Sequence, residues 1–328
     1  MVPFSILDLA PIVAGGDAAS AFRNALDLAR HGESWGYGRF WMAEHHSMPG
    51  IASAATAVAL AHIGAGTSHI RIGAGGIMLP NHSPLVIAEQ FGTLESLYPG
   101  RVDLGLGRAP GTDQAAAFAL RRDLDSDPNR FPRDVMELID YLHPSEPGRR
   151  VRAIPGEGLD IPIWILGSSL FGAQLAAVLG LPYAFASHFA PAQMLEAVRL
   201  YRENFKPSAQ LDRPYVMLGF NAFAADSDEE GRHLMSSVQQ AFVNLRTGQP
   251  TQLQPPQQGY ADSLPPPIRT SIDQALSCTA VGSPTNVAAA IRAFVDRTGA
   301  DELMITSQIY DHDARLRSYE IVAGCMTG

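Results

Sequence analysis

The sequence predicts an α/β fold, a (β/α)8 TIM-type barrel with a Pro/Gln-rich lid inserted after strand seven. Three observations lead there. Strand-like apolar runs alternate with helix-like periodic runs from end to end, and the strands number eight. The 328 residues are long for one ordinary domain but usual for one barrel of this kind. A doubly wound open sheet is the alternative that the same alternation allows. The chain, 1–328, reads as one barrel domain. Its composition, 46% apolar and 17% charged, is that of a chain with a core to bury.

FSILDLAPI (4–12) is strand one, running into Pro11. AASAFRNALDLARHGESWG (18–36) carries apolar residues at helical spacing and stops on glycine. YGRFWMAEHH (37–46) is strand two, and the Ala-rich IASAATAVALAHIGAGT (51–67) is helix two. IRIGAGGIML (70–79) is strand three; PLVIAEQFGTLESLYPG (84–100) starts helix three on proline and ends it at Pro99-Gly100. RVDLGLG (101–107) is strand four, followed by a longer loop and the helix FPRDVMELIDYLH (131–143). IPIWILG (161–167) and SLFGAQLAAVLG (169–180) make the fifth pair, LPYAFAS (181–187) and PAQMLEAVRLYRENF (191–205) the sixth. PYVMLGFNAFAA (214–225) leads into SDEEGRHLMSSVQQAFVNLR (227–246), whose acidic first turn suits a helix N-terminus. SPTNVAAAIRAFVDRTG (283–299), strand eight DELMITSQI (301–309) and DARLRSYEIVAGCM (313–326) close the series. The segment TGQPTQLQPPQQGYADSLPPPI (247–268) fits neither element type and reads as a mobile lid on the face where barrels build their sites.

A net charge of −9 argues against a nucleic-acid partner and against anionic membranes. No apolar run reaches the roughly 18 residues of a membrane span. No basic region precedes the apolar residues at the N-terminus, so no signal peptide is expected. Cys278 and Cys325 have no metal-ligand spacing and are expected to be reduced, in a cytoplasmic protein. Lys206 is the single lysine, which suggests a GC-rich genome. An anion site in this chain must therefore use arginine and backbone N–H groups.

Barrels place their sites at the C-terminal strand ends. The polar residues there are Glu44, His45 and His46 after strand two, Asn81 and His82 after strand three, and Arg108 after strand four. Ser168 and Ser169 follow strand five, Ser187 and His188 strand six, with Asn221 in strand seven and Ser307 and Gln308 after strand eight. Singly, each is as readily a solvated strand end; together they mark a candidate site. GLGRAPG is not a dinucleotide fingerprint, because its glycines have the wrong spacing and Pro110 stands where a helix should start. Arg108, with Gly107 and Gly111 giving room, either pins a loop or holds an anion. Ser168 and Ser169 begin a helix, where free N–H groups favour a phosphate or the serine simply caps. On adjacent strands, Arg108 and this helix start can grip one phosphate. AEHH is not a zinc motif: adjacent His45 and His46 point opposite ways, so no metal is expected, and one histidine is left to face the mouth as a proton-transfer group.

RFWMAEHHSMPGIASAATAVALA, GGIMLPNHSPLVIAEQFGTLESLYPGRVDLGLGRAPGTDQ, IPIWILGSSLFGAQLAAVLGLPYAFASHFAP and IYDHDARLRSYEIV together resemble the bacterial luciferase-like flavin monooxygenases, nearly end to end. The resemblance implies the same barrel and a reduced FMN or deazaflavin cofactor. In the FMN branch, FMNH2 and O2 give a flavin hydroperoxide that oxidises an organic substrate. It implies that His45 is the active-site histidine, Arg108 the phosphate arginine and Ser169 a phosphate-binding serine, with Ser168 and Gly172 beside it. Gly75 and Gly76 would lie against the flavin ring, at a non-proline cis peptide or a bulge. His46, Asn81, His82, Ser187 and His188 are left for the substrate pocket. Light-emitting luciferase carries a reactive cysteine immediately before the phosphate arginine; Gly107 stands there, which speaks against long-chain aldehyde oxidation and light emission.

The expected activity is an FMNH2-dependent monooxygenase acting on a medium-sized organic molecule, with secondary metabolism a possible setting. Without a nicotinamide fingerprint, a separate NAD(P)H:flavin reductase would supply FMNH2. Two alternatives stand: a deazaflavin-dependent hydride-transfer dehydrogenase, which would want basic residues beyond Arg108 and the Arg121-Arg122 pair, and a non-catalytic flavin-binding protein. Helices two and three carry apolar and small residues on more than one face, and a homodimer through them is expected.

Overall fold

The computed structural model describes residues 2–108, 114–121 and 130–326. Gly111 and Arg122 lie outside the described residues. Among the described residues nine parallel strands form one sheet. They are β1 (Phe4–Asp8), β2 (Arg39–Met42), β3 (Arg71–Met78), β4 (Val102–Gly107), β5 (Ile163–Gly167), β6 (Tyr183–Phe185), β7 (Val216–Ala224), β8 (Thr279–Gly282) and β9 (Glu302–Thr306). Consecutive pairing runs from β1 to β7; β7 then pairs with β9, and β9 with β1, closing a ring of eight. The eight ring strands are those the sequence predicts. The alternation also left an open sheet possible; the β9–β1 pairing excludes it.

Twelve helices connect or flank the strands among the described residues: α1 (Ala18–Trp35), α2 (Thr56–Ala65), α3 (Pro84–Leu97), α4 (Gln114–Arg121), α5 (Arg130–Leu142), α6 (Leu170–Leu179), α7 (Met194–Asn204), α8 (Asp228–Arg246), α9 (Tyr260–Ser263), α10 (Pro266–Ala275), α11 (Pro284–Thr298) and α12 (His312–Gly324). The first shows why such segments are helices. Asp17 and Ser20 form a reciprocal capping box, and Gly36 ends the helix in the left-handed region at φ 88°. Ala21, Ala25, Leu28, Ala29 and Gly32 make the buried stripe.

Several boundaries differ from the sequence reading, each for a physical reason. Four residues, Thr279–Gly282, form β8, which pairs only with the outer half of β7 (Asn221–Ala224) and lies outside the ring. So short a run gives almost no periodicity. Helix α4 occupies part of the long loop after β4. Helix two starts at Thr56, because Ile51 is engaged in a bridge with Pro11. The segment 247–268 is not wholly irregular: Tyr260–Ser263 is helical, and Pro266 opens α10, where a missing N–H costs nothing in the first turn.

The barrel interior is layered. At the N-terminal end a buried charge network fills it. Arg39 Nη1 lies 2.7 Å from Asp103 and its Nε 3.0 Å from Glu302. Arg71 binds the other Asp103 oxygen at 2.6 Å, and Tyr215 donates to Glu302 at 2.9 Å. Every charge there is paired, as burial requires. Above it Leu7, Trp41, Trp164, Met217 and Met304 form an apolar layer. This plug closes the barrel from below and leaves the C-terminal mouth as the open end.

Candidate active site

The mouth holds a cavity of about 410 Å³, a size suited to a small-molecule site. Its wall on the β3–β5 side is glycine-rich, with Gly75, Gly76, Gly107 and Gly167 facing it. The Gly75–Gly76 peptide is cis, and the β3–β4 register shifts between Ala74 and Ile77, so the expected cis bond and bulge coincide. The space reason is one the sequence did not disclose. A Cβ on Gly75 would lie 2.9 Å from Leu7 Cδ1, and one on Gly76 2.9 Å from the Gly105 carbonyl oxygen. At Gly76 the obstacle is backbone, so the barrel itself asks for glycine there quite apart from any ligand; at Gly75 it is the tip of a leucine side chain, which can shift.

Arg108 and the start of α6 come together as the strand order predicts. The Arg108 guanidinium stacks 4.3 Å above the Phe171 ring, in the first turn of α6. Ser169 occupies the N-cap position with extended backbone, yet its side chain makes no capping hydrogen bond. That leaves the hydroxyl and the first free N–H groups of α6 available to an anion. Ser168, Ser169 and Gly172 all line the cavity with Arg108. Phe171 was not singled out by sequence; a lone aromatic inside an Ala/Leu-rich helix reads as core.

His45 lines the cavity, as does Glu44 before it, and His46 does not; all three lie beyond the end of β2 at Met42, where strict alternation no longer holds. Instead His46 and His82 each place Nε2 against one oxygen of Glu44, at 2.6 and 2.7 Å. The Met78 N–H donates to the other Glu44 oxygen at 2.9 Å. Burial pushes the Glu44 carboxyl up, but the hydrogen bonds from His82, His46 and Met78 outweigh it and hold it below the usual carboxylate range. The ends of β2 and β3 are thereby tied together beside the Gly75–Gly76 pair. Glu44, His46 and His82 also bring three ligand atoms within 4.8 Å of one another, a donor set that AEHH alone does not show because His82 comes from another loop. No metal was expected from the sequence.

Of the five residues assigned to the substrate pocket, the cavity wall takes in His188 and not His46, Asn81, His82 or Ser187. The last four sit beside it. The Ser187 hydroxyl donates to the Gly219 carbonyl at 2.7 Å, and Asn81 is buried at the end of β3. A residue at a strand end has two faces to choose from, and sequence spacing does not choose. Burial pushes the His188 imidazole down to about 4, helped by the charge of His45 nearby. From the segment 247–268, Pro250, Thr251 and Leu253 line the cavity. Leu253 exchanges backbone hydrogen bonds with Ile12 and Ala14 at 3.0 and 2.8 Å, so this segment is joined to the loop that follows β1.

Residues 2–302 match the luciferase-like monooxygenase family. A luciferase-like monooxygenase of Escherichia coli (strain K12) is 54% identical over 320 residues, covering 98% of this chain and 96% of that protein. Among solved structures, apo-MsnO8 superposes with a TM-score of 0.88 at 33% identity, covering 100% of this chain and 99% of that one. Two more distant structures share the fold alone. The oxygenating constituent of 3,6-diketocamphane monooxygenase from Pseudomonas putida, solved with FMN, has a TM-score of 0.72 at 18% identity, covering 98% and 96% of the two chains. An F420-dependent secondary alcohol dehydrogenase has a TM-score of 0.72 at 14% identity, covering 99% and 98%.

Proposed function

The chain belongs to the luciferase-like monooxygenase family, and from that premise we propose that it is an FMNH2-dependent monooxygenase of a medium-sized organic molecule. The observation that carries the cofactor assignment is Arg108 stacked on Phe171 at the start of α6. Guanidinium, Ser168, Ser169 and free helix N–H groups form the donor set a phosphomonoester needs. The glycine-rich wall beside it leaves room for a planar ring. Among the described residues lining the cavity, Arg108 is the single arginine or lysine. One cation suits the short phosphate of FMN better than the long anionic tail of a deazaflavin.

Bound there, the reduced flavin supplies the reaction of O2 with an organic substrate. The protein's own residues orient and protect. Arg108 and the α6 start anchor the phosphate, Gly75 and Gly76 back the ring, and His45 moves or holds a proton at the mouth. The 247–259 stretch and α8 act as the lid, with Phe242, Leu245 and Leu253 facing inwards to exclude water. A separate NAD(P)H:flavin reductase delivers FMNH2, and the buried free thiols of Cys278 and Cys325 suit a cytoplasmic setting.

Anaerobic mixing with FMNH2, followed by O2 in a stopped-flow instrument, tests this reading. A transient absorbance band distinct from both FMNH2 and FMN is expected. Tight FMN binding with no such band favours a flavin-binding protein instead. Hydride transfer from a deazaflavin without O2 favours the dehydrogenase.

The subunit is proposed to pair through α2 and α3. Val58 is 73% exposed, Leu97 58% and Val86 43%, on two neighbouring helices. Such side chains in water favour a covering partner. Light scattering at micromolar concentration is expected to give twice the 35.2 kDa chain mass. A monomer mass removes the dimer.

A further inference from the structure

The cavity has a second side, away from Arg108. Leu7, Leu9, Met217, Phe242, Leu253 and Met304 face it from β1 and the residue after it, β7, α8, the lid stretch and β9. Among the described lining residues, the only carboxylate is Glu44, and its two oxygens already accept from His46, His82 and Met78. A charged substrate group would find no counter-charge on this side, and burying one unpaired is costly. The polar groups that remain there include His188, Asn221, Thr251 and Gln308, none of them an arginine, a lysine or a carboxylate.

One of them, His188, is held by a dedicated arrangement. It follows β6, across the ring from the β2 end that carries His45. Gly219 in β7 faces the barrel interior, and a methyl group there would overlap His188 Nδ1. The missing side chain is thus the space the imidazole fills. Ser187 ties the same loop to the Gly219 carbonyl at 2.7 Å. Asn221 Nδ2 donates to the His188 carbonyl at 2.6 Å and to Thr279 Oγ1 at 3.1 Å, so β8 steadies it from outside the ring. His188 Nδ1 is buried with no hydrogen-bond partner. An orphaned acceptor is better tolerated than an orphaned N–H, which places the proton on Nε2, the ring edge turned away from Gly219.

We propose that His188 is the substrate-facing hydrogen-bond donor of this cavity, and that the substrate is an uncharged, largely apolar molecule carrying a carbonyl-type acceptor. The proposal rests on the reading that flavin takes the Arg108 side. The low titration point of His188 agrees with it, since the ring then stays neutral at ordinary pH.

The test uses two probes of equal length, 2-decanone and decanoate, with binding followed by calorimetry. With FMN bound, the ketone is expected to bind at least about tenfold more tightly than the carboxylate. His188→Leu is expected to weaken ketone binding about three- to tenfold, His188→Gln less, and Gly219→Ala, which displaces the ring without deleting it, about as much as His188→Leu. Melting curves check that each variant folds, and FMN fluorescence checks that flavin affinity is unmoved. The ketone series is repeated on the flavin-free protein, so a failure to bind FMN overturns the flavin reading while the His188 series still decides this one. Equal ketone binding by folded His188→Leu and wild-type protein overturns the role of His188. Decanoate binding as tightly as 2-decanone to the FMN-loaded protein overturns the uncharged substrate.

Discussion

His45→Ala is expected to lower FMNH2-dependent oxygenation by about 10²–10⁴ while leaving flavin affinity within a few-fold, the span usual for loss of a positioned proton-transfer group. The geometry explains the separation. His45 lines the cavity, whereas its neighbours on both sides are spent on structure. Glu44 ties His46, His82 and Met78, and its own N–H approaches the Gly76 carbonyl oxygen at 3.4 Å. The strand end is therefore held in place whatever stands at position 45, and the alanine removes a functional group without loosening the wall. Oxygen consumption coupled to product, read beside FMNH2 affinity, checks the split. Turnover within a few-fold of wild type would leave His45 as wall only.

Arg108→Ala is expected to weaken FMNH2 binding by one to two decades. A charge-assisted contact with phosphate contributes about 1.5–3 kcal/mol. Arg108 is exposed and its described ring contact is Phe171, so the fold should not depend on it and the melting temperature should hold. Fluorescence titration of flavin at two ionic strengths checks both parts: affinity falls, and its salt dependence flattens with the lost charge. Phe171→Leu keeps the guanidinium but removes its platform, and a smaller loss is expected there. Unchanged affinity in Arg108→Ala would mean that the arginine only pins its loop.

These two residues also show what a sequence can and cannot disclose. Arg108 was legible because it follows an alternating strand directly, so its place at the mouth follows from the strand ending at Gly107. The start of α6 was legible for the same reason, through the run from ILG into SSLFG. The ring of eight strands was legible as a whole, since each strand carries its own apolar pattern and a barrel needs only that they repeat. The irregularity at Gly75–Gly76 was legible locally, as glycines inside a strand run mark a bulge or close approach, but the cis peptide itself came from resemblance to a family.

Which of two adjacent strand-end residues faces the cavity was settled by contacts with other strands. His46 and His82 are 36 positions apart in the chain and meet on Glu44, and nothing in either local segment announces the other. His188 enters the cavity because β7, arriving later in the chain, brings a glycine to the one place where an imidazole fits. Ser187, polar and near a strand end, looks in sequence like a ligand contact and instead holds that loop, while Asn221 both lines the cavity and holds the loop. The strand β8 is four residues long, too short for periodicity to reveal, and exists because β7 offers it an edge. Local periodicity is a property of the segment and can be read from it. Facing, pairing and spare space belong to two or more segments at once, and only the closed barrel brings those segments together.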